Sequence, residues 1–469
     1  MNDTAHAALA EESPCDVLAR FTVGLDIGAV PAEVADYARL LLLDLLGAAL
    51  AGLETTETQA MLVAAEGFAP QSGPCAIWGT SYTTTAAAAA LVNGVIAHAQ
   101  ELDDFGGADH SGAVVVPAVL AVAEAEGLIG DATGGARVLA AMIAGYDVAL
   151  RVLEAMGGYR AHNNGGGWHS TGTCGSFGAA AAAACMLGLN AERTAWALGI
   201  AGSFTGGTWA FLADGAMSKR YHTGRAAEIG LTAAYMARAG FTGPRRVFDA
   251  PWGGFLATYG GREVRPGELT RGLGAPYRIM LSGIKPYAAC RGLHSVLDVI
   301  LRLRSEHDLE ADRVAAVEIR CSGANMQSLG DKEPRTRLAA QMSLPYGVAV
   351  ALVTGHADLE AFEARWIEDA SVRDLMSRVA MTLDPAQDDY AEPHVTLVLR
   401  DGLRFEGHEA IGLGDYRNPL TTEQVVAKFE GLARRVLAEA TVAELKDAVF
   451  ALPGPGSLER LLSALRRPG

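Results

Sequence analysis

The first 260 residues are dominated by apolar segments with helical spacing, and this pattern constrains the fold more than any other feature of the sequence. Val34, Leu41 and Leu45, for example, recur at intervals of seven and four positions, as residues on one face of a helix do. The alternation of β-branched and polar residues that predicts strands is almost absent here. Helices are predicted over residues 31–52, 83–99, 117–126, 135–153, 177–187, 191–201 and 225–239.

The pattern changes after a glycine-rich connection near residue 250. Residues 313–321 (RVAAVEIRC) alternate as a strand does, and residues 394–399 and 404–408 predict a hairpin around Asp401 and Gly402. Helical spacing also occurs in this part of the chain and returns near its end. These further helices are predicted over residues 293–303, 344–354, 372–380, 423–440 and 457–465.

Together these patterns predict a mainly α protein with two domains. A large all-helical domain is formed by both ends of the chain, residues 1–265 and 410–469. A smaller α+β domain, residues 266–409, is inserted between them. Such an arrangement creates an interface between the domains, which is a common place for a ligand to bind.

Composition excludes several classes of protein. Half of the 469 residues are hydrophobic and 20% are charged, so the chain has enough apolar surface to bury a large core. The net charge of −16 disfavours nucleic-acid binding, which needs clustered cations. The longest apolar runs, residues 113–123 and 177–189, are shorter than the roughly 20 residues that cross a bilayer. We therefore expect neither a nucleic-acid nor a membrane partner.

The N-terminus and the cysteines are typical of a cytoplasmic protein. The first residues, MNDTAHAALAEESP, lack the basic region and apolar core of a secretory signal. The six cysteines form no CxxC pair, which gives little support to a zinc ribbon or a clustered iron–sulfur site. A chain of this size does not need disulfides, and we expect it in the reducing cytoplasm.

An acidic segment, HAQELDDFGGADHSG at residues 98–112, lies between two apolar helices. His98 and Glu101 share a helix face at a spacing of three. Asp103 and Asp104 are expected at a helix C-terminus, where the helix dipole disfavours negative charge and raises the pKa of both carboxyl groups. A functional acid–base site is one interpretation. A hydrated acidic turn and a metal site are the alternatives.

Two glycine-rich segments each carry a residue able to accept or donate a proton. NNGGGWHSTGTCGSFG, residues 163–178, places His169 just before a predicted helix, whose free N–H groups suit a carboxylate. GAMSKRYHTG, residues 215–224, contains Lys219, one of only five lysines in the chain. The structural alternatives are a loop that lets helices pack closely and an ordinary surface lysine.

A fourth segment, IKPYAACRGLH at residues 284–294, contains the cations Lys285 and Arg291. Arg291 could bind a carboxylate with its guanidinium fork, although a turn with two solvated cations is the structural alternative. The chain has no phosphate loop, dinucleotide fingerprint or GxSxG elbow. Acids, histidines and lysines without a cofactor motif suit removal of a proton next to a carboxylate, followed by elimination or reprotonation.

Five stretches of the chain, in order, resemble the signatures of the MmgE/PrpD family. They are HAQELDDFGGADHSG at residues 98–112, WHSTGTCGSFG at 168–178, SKRYHTGRAAEIG at 218–230, IKPYAACRGLH at 284–294 and RNPLTTEQVVAKF at 417–429. The family includes 2-methylcitrate dehydratase, cis-aconitate decarboxylase and iminodisuccinate epimerase. The resemblance implies the two-domain architecture described above, a homodimer and an enzyme without a metal or an organic cofactor.

The resemblance also implies positions for the active site. Tyr346 falls near one active-site position of the family's decarboxylase. Glu101 stands where an aspartate is usual, Phe105 where a threonine is usual and Cys290 where the decarboxylase has a histidine. The resemblance therefore indicates the class of chemistry better than the substrate. The other decarboxylase active-site positions are occupied here by His110, His169, Lys219 and Lys285.

From the residues and the resemblance we predict an enzyme that removes a proton next to a carboxylate of a small di- or tricarboxylate. Dehydration of a 2-methylcitrate-like hydroxy acid is the first interpretation. Epimerisation of an amino- or imino-dicarboxylate is the closest alternative, because the same intermediate can be reprotonated from the other face. A non-catalytic binding protein and a metal-dependent hydrolase built on the acidic segment are further alternatives.

The predicted roles follow from the chemistry of the side chains. Lys219 and His169 are expected to move the proton, while His110 and Asp104 form a second acid–base pair. Lys285 and Arg291 are expected to hold substrate carboxylates, because arginine does not deprotonate in practice. No metal ligand is assigned. The predicted site comprises the catalytic residues Asp104, His110, His169 and Lys219 and the substrate-binding residues His222, Lys285, Cys290, Arg291 and Tyr346, which are expected to meet between the domains.

Overall fold

The fold is mainly helical, with a small sheet region, as the sequence predicts. A computed structural model describes residues 12–261, 263–388 and 391–466. The expectation that the chain lacks a secretory signal rests on residues 1–14. Most of these residues lie outside the described part. The first helices are α1 (Pro14–Val23), α2 (Ala32–Gly52), α3 (Thr56–Ala65), α4 (Ala86–His98), α5 (Ser111–Ala125), α6 (Gly134–Ala155), α7 (Ser170–Thr173), α8 (Gly175–Met186), α9 (Ala191–Phe204), α10 (Ser218–Arg238) and α11 (Phe255–Tyr259).

Two of these helices begin six or seven residues earlier than the sequence predicts, and both differences affect the site. Helix α5 begins at Ser111 instead of residue 117, with Pro117 inside it. Helix α10 begins at Ser218 instead of residue 225, and Gly224 lies inside it. Proline and glycine usually interrupt helices, but tertiary packing overrides that preference here. As a result Lys219 and His222 lie on a rigid helix rather than on a loop.

The early start of α10 is explained by its close approach to α4. A Cβ atom on Gly94 of α4 would lie 2.6 Å from the Cα of Gly224 on α10, so only glycine allows the two backbones to come this near. The contact brings the first turn of α10 beside the end of α4. The side chains of Lys219 and Arg220 can therefore reach the acidic segment that follows His98.

The smaller part of the chain contains a four-stranded sheet with helices packed on one face. Its strand order is β6-β5-β7-β8, with β5 and β6 parallel and the other pairs antiparallel. The strands are β5 (Val314–Cys321), β6 (Val379–Leu383), β7 (His394–Leu399) and β8 (Arg404–Gly407). The helices here are α12 (His294–Glu306), α13 (Gly323–Leu329), α14 (Arg337–Gln341), α15 (Leu344–Thr354), α16 (Ala364–Ile367) and α17 (Ala370–Ser377).

Strand β6 is one of the elements that the sequence analysis did not predict. Residues 372–380 were predicted as one helix, but α17 ends at Ser377 and β6 begins at Val379. A strand of five residues directly after a helix carries too little period-two alternation to be recognised. Its parallel pairing with β5 along residues 317–321 provides the hydrogen bonds that favour the strand.

The chain returns to the helical part at its C-terminus. Helix α18 packs on α2, and both belong to one buried apolar cluster that takes residues from 15–284 and 425–465. A second cluster is built mainly from residues 288–399. The boundaries of 265 and 410 for the two domains stay a prediction. The C-terminal helices are α18 (Thr422–Ala433), α19 (Glu439–Phe450) and α20 (Ser457–Ala464).

Within the residues that the structure describes, no helix combines the length with the apolar character that crossing a bilayer requires. Each of the remaining strands is only two residues long. The pairing of β3 with β4 is the one that affects the site. These short strands are β1 (Cys75–Ala76), β2 (Thr83–Thr84), β3 (Phe105–Gly106) and β4 (Ser282–Gly283).

Candidate active site

The acidic segment is a loop that connects α4 to α5 and is pinned beside the segment containing Lys285. Helix α4 ends at His98 and α5 begins at Ser111. Between them, β3 pairs with β4 in an antiparallel register that sets Phe105 opposite Gly283. Because Gly283 precedes Lys285 by two residues, this pairing draws the lysine to the acidic loop.

Glu101 lies at the centre of a buried cluster of cations. Its Oε1 is 2.6 Å from Nζ of Lys219 and 3.1 Å from Nζ of Lys285. Its Oε2 also accepts a hydrogen bond from a guanidinium nitrogen of Arg220. All four side chains are nearly inaccessible to water, with 1–2% exposed. Burial makes these charge-assisted hydrogen bonds strong, since water does not screen them.

The two lysines of this cluster differ in their tendency to lose a proton. Burial lowers the pKa of Lys219, and the charges of Arg220 and Lys285 lower it further against the opposing effect of Glu101. Burial also acts against the charge of Lys285, but Glu101, Asp103 and Asp109 raise its pKa above the ordinary value. The surroundings therefore favour the neutral form of Lys219 more than they favour that of Lys285.

The pKa of Glu101 itself lies well below its ordinary value. Burial alone would raise it, but the charges of Lys219, Lys285 and Arg220 outweigh that effect. The side chain is therefore ionised at neutral pH. Its backbone has φ of 56°, in the left-handed region that costs non-glycine residues energy.

Asp103 orients two histidines. Its two carboxylate oxygens lie 2.8 Å from Nδ1 of His98 and 2.9 Å from Nδ1 of His110. Burial would raise the pKa of Asp103, but the two imidazoles hold it well below its usual range. With Nδ1 occupied, Nε2 of His110 faces Glu101 Oε1 at 3.7 Å and Asp109 Oδ1 at 3.4 Å. Such a fixed ring orientation suits directed proton transfer.

A second histidine pair adjoins the first. Asp109 Oδ2 is 3.5 Å from Nε2 of His169, whose Nδ1 is 2.9 Å from Nδ1 of His222. Burial lowers the pKa of His169 to about 4 and that of His222 to about 3. Both rings are therefore neutral at neutral pH. Asp109 and His110 have φ of 65° and 45°, a strained backbone of the kind often found at functional sites.

The structure brings together most of the predicted site residues. The ring centroids of His110 and His169 are 6.1 Å apart, and His110 faces the carboxylate that also binds both lysines. The thiol of Cys290 lies near enough to Lys219 and Lys285 for their charges to lower its pKa, although burial prevails and raises it. The residues that meet here are His110, His169, Lys219, His222, Lys285 and Cys290.

Three predicted residues lie elsewhere. Asp104 does not pair with His110; it accepts a hydrogen bond from the backbone N–H of Gly112 at the start of α5, 2.9 Å away. Consecutive loop residues point in opposite directions, so Asp103 faces the histidines and Asp104 does not. Tyr346 is buried in the apolar cluster of the smaller part and donates to the carbonyl of Ala361.

Arg291, predicted to hold a substrate carboxylate, already binds carboxylates of the protein. Its guanidinium contacts Oε1 of Glu392, and it lies 3.4 Å from Oδ2 of Asp415. These charges raise the pKa of Arg291 although burial opposes them. The guanidinium also stacks over the ring of Phe105 at 5.5 Å. Both of its acidic partners follow Arg291 by about 100 residues or more, so no local pattern could have revealed them.

Several residues of the cluster were not among the predicted site residues. Glu101 and Asp103 were noted within the acidic segment without a role, and Arg220 appeared only as part of the segment of residues 215–224. These residues could have been identified because several charged residues lie within segments that are otherwise apolar. Charged side chains in such segments are expected to be buried, and buried charges must be paired with one another. The omitted members are His98, Glu101, Asp103, Asp109 and Arg220.

Two groups in the cluster have the residue types and the separations of a metal site. One ligand atom from each of His98, Asp103 and His110 lies within 4.8 Å of the others, and the same holds for Asp109, His110 and His169. Imidazole and carboxylate ligands suit Zn²⁺. In the first group, however, the nitrogen–oxygen distances of 2.8 and 2.9 Å are those of hydrogen bonds between the side chains.

Acidification is expected to destabilise the fold through these histidines. The pKa of His169 falls from 6.5 to about 4 on folding and that of His222 from 6.5 to about 3. Between those values the unfolded chain binds more protons than the folded chain, so stability rises with pH and is lost as the pH falls. Urea unfolding at about pH 7 and about pH 5 measures this loss.

The His222→Gln variant should lose less stability between these two pH values than the unmodified chain. Substitution of His356, which pairs with Asp358 on the smaller part and lies outside this cluster, provides the matched control. An unfolding free energy that is the same at both pH values would contradict the assignment of neutral, buried imidazoles.

Comparisons with known proteins agree with the signatures in the sequence. The MmgE/PrpD N-terminal domain matches residues 16–266, and the MmgE/PrpD C-terminal domain matches residues 287–452. A cis-aconitate decarboxylase-like protein of Aspergillus oryzae is 29% identical over 459 residues, which cover 93% of this chain and 94% of that protein.

Two further relatives are cis-aconitate decarboxylases. That of Aspergillus terreus is 29% identical over 460 residues, covering 94% of this chain and 93% of the relative. That of Homo sapiens is 28% identical over 465 residues, covering 95% and 93%. The two domain matches together account for most of the sequence, and Lys285 lies in the short gap between them. The chain therefore belongs to the MmgE/PrpD family.

Proposed function

We propose that this protein is a cofactor-independent lyase that acts on a small tricarboxylate. The observation that carries the proposal is the convergence of Lys219, Arg220 and Lys285 on the one carboxylate of Glu101. Three buried cations around one anion form a centre that can also bind and neutralise carboxylates of a substrate. The relatives named above, which act on a tricarboxylate by name, support the same class of substrate.

The difference in pKa between the two lysines supports separate roles. Lys285 remains protonated, which suits binding of a substrate carboxylate and stabilisation of the enolate-like charge that develops next to it. Lys219, whose pKa is lowered, suits proton transfer. His110 and His169 are neighbours of this pair and can relay the proton or deliver it to a leaving group.

Dehydration of a 2-methylcitrate-like hydroxy acid is the first reaction that we propose. Lys219 in its neutral form would take the proton from the carbon next to a carboxylate. The electron pair of that C–H bond then forms a C=C bond, while the C–O bond to the hydroxyl group breaks. His110, which lies beside Glu101, would give a proton to the departing hydroxide, which leaves as water.

Decarboxylation is a second candidate, and the names of the relatives favour it. Here the C–C bond to a carboxylate breaks, carbon dioxide leaves and the electron pair remains on the substrate, delocalised towards a neighbouring carboxylate. Lys285 would stabilise that charge, and Lys219 would deliver a proton to carbon. The neutral thiol of Cys290 stands where the resemblance places a histidine, so this chain can differ from those relatives in its substrate.

The deciding experiment is incubation with a panel of polycarboxylates in deuterated water, followed by NMR. An alkene formed with loss of water indicates dehydration, and release of carbon dioxide indicates decarboxylation. Deuterium in otherwise unchanged substrate indicates an epimerase. The panel includes 2-methylcitrate, cis-aconitate and iminodisuccinate, and the Lys219→Met variant serves as the matched control. No change in any compound would contradict the proposal and favour a binding protein. Light scattering of the same sample tests the proposed homodimer.

Chelation is expected to leave turnover unchanged, because Arg220 and Lys285 already supply the positive charge that the reaction needs. Added Zn²⁺ is expected to inhibit, since it would occupy nitrogen atoms of His110 and His169 that proton transfer requires. The measurement is turnover before and after EDTA, with the metal content determined in parallel. Loss of turnover with EDTA and its return with a divalent cation would favour a metal-dependent enzyme instead.

A further inference from the structure

Three successive backbone carbonyl groups of the acidic loop are each held by a side chain from a distant part of the chain. Gln341 on α14 donates to the carbonyl of Gln100 at 2.8 Å. Lys285 donates to that of Glu101 at 2.9 Å. Lys428 on α18 donates to that of Leu102 at 2.8 Å. Helix α14, the segment that contains Lys285 and helix α18 therefore all fix the backbone that carries Glu101.

Lys428 differs from the other two because a buried carboxylate holds it in turn. Its Nζ is 2.6 Å from Oδ1 of Asp44 on α2, and the side chain of Asp44 is completely buried. Burial lowers the pKa of Lys428 and raises that of Asp44, and each charge opposes the effect of burial on the other. The helices meet closely here, since a Cβ on Gly47 would lie 3.2 Å from the Cα of Phe429.

We propose that Lys428, fixed by Asp44, is a positioning residue that sets the backbone of the acidic loop and thereby the direction of the Glu101 carboxylate. The inference rests on the proposed function, in which that carboxylate organises Lys219 and Lys285. Lys428 itself contacts neither of these lysines through a hydrogen bond. Its hydrogen bond goes to the backbone between Glu101 and Asp103.

The backbone conformation explains why such a support is needed. Glu101 has φ of 56°, which an unsupported glutamate rarely adopts. Without a donor to the Leu102 carbonyl, the loop can relax towards a more common conformation. Such a change would turn Glu101 away from the lysines and Asp103 away from His98 and His110. A displacement of about 1 Å at a reacting group can lower a rate by roughly 10²-fold.

The test separates positioning from mere stability. The Lys428→Met variant loses both the hydrogen bond to Leu102 and the ion pair, and leaves Asp44 buried without a partner. The double variant Asp44→Leu/Lys428→Met replaces the ion pair with apolar side chains, which often restores stability. It still provides no donor for the Leu102 carbonyl. We therefore expect the double variant to regain the thermal stability of the unmodified protein, with kcat still lower by roughly 10²-fold.

The matched control is Lys446→Met, which removes a lysine from the neighbouring helix α19. Lys446 pairs with Glu430 at the surface, 2.7 Å away, and its loss should leave kcat unchanged. If the stable double variant turns over substrate as fast as the unmodified protein, Lys428 serves stability alone and the proposal is overturned. If Lys446→Met lowers kcat as much, the effect is not specific to the loop and the proposal also fails.

A second measurement decides the proposal even if no substrate of the panel is turned over. Hydrogen exchange of the peptide that spans residues 99–106 reports the loop directly. We expect faster exchange in this peptide of the double variant and unchanged exchange in α8, which lies in the helical core. Unchanged exchange in the loop would overturn the positioning role. Inactivity of the unmodified protein would instead count against the proposed function.

Discussion

Replacement of Lys219 by methionine is expected to lower kcat by roughly 10²–10⁴-fold, the range seen when a general acid–base group is lost. Methionine keeps most of the apolar stem and removes the amine. The effect should fall on kcat because the lowered pKa of Lys219 suits it to proton transfer in the chemical step. Steady-state kinetics on the substrate that the panel identifies provide the measurement.

Two further lysines make this experiment specific. Lys285→Met should raise KM as well as lower kcat, since a permanent positive charge contributes to binding in both the ground state and the transition state. Lys332 is exposed on the surface, so Lys332→Met should behave as the unmodified protein does. Near-normal kcat in Lys219→Met would exclude this lysine as the group that moves the proton.

The second large effect is expected for Glu101→Gln, which should reduce the free energy of unfolding by about 3–5 kcal/mol. The amide retains the shape of the side chain but removes the negative charge from among three buried cations. An uncompensated buried charge is costly, and here Lys219 would lose its proton more readily as a result. Urea unfolding with a common slope measures the change.

The matched control is Glu101→Asp, which preserves the charge and shortens the side chain by one methylene. Aspartate is also the residue that the family resemblance leads one to expect at this place. This variant should lose much less stability than Glu101→Gln. Equal losses in the two variants would show that packing around the side chain, rather than its charge, stabilises this part of the fold.

The helical architecture could be predicted from the sequence because its signal is local. Helices α4, α6, α8 and α9 lie where apolar spacing placed them, to within three residues at most ends. Helices α5 and α10 extend further because distant contacts override proline and glycine. Gly224 reads as a helix stop in isolation, yet it allows α4 to approach α10. Such information is contained in pairs of residues that are far apart in the sequence.

The sequence indicated the segments of the candidate site but not the directions and partners of all their side chains. The reason is physical. The sequence indicated which segments carry ionisable groups, and four of those segments do meet. It could not show which of two adjacent aspartates faces the histidines, because that depends on the path of the loop. Nor could it show that Arg291 is already neutralised by Glu392 and Asp415. Sequence spacing contains no information on distant counter-ions.

The ion pair of Asp44 and Lys428 joins residues that the ribosome makes at very different times. The lysine is translated 384 residues (428 − 44) after the aspartate, which takes about 20–80 s at common elongation rates. During that interval α2 carries a charge without its counter-ion and an apolar surface without the covering helix α18. The nascent chain therefore cannot complete the apolar cluster of its helical part in order of synthesis. We expect protease resistance of stalled chains to appear only once α18 has left the ribosome.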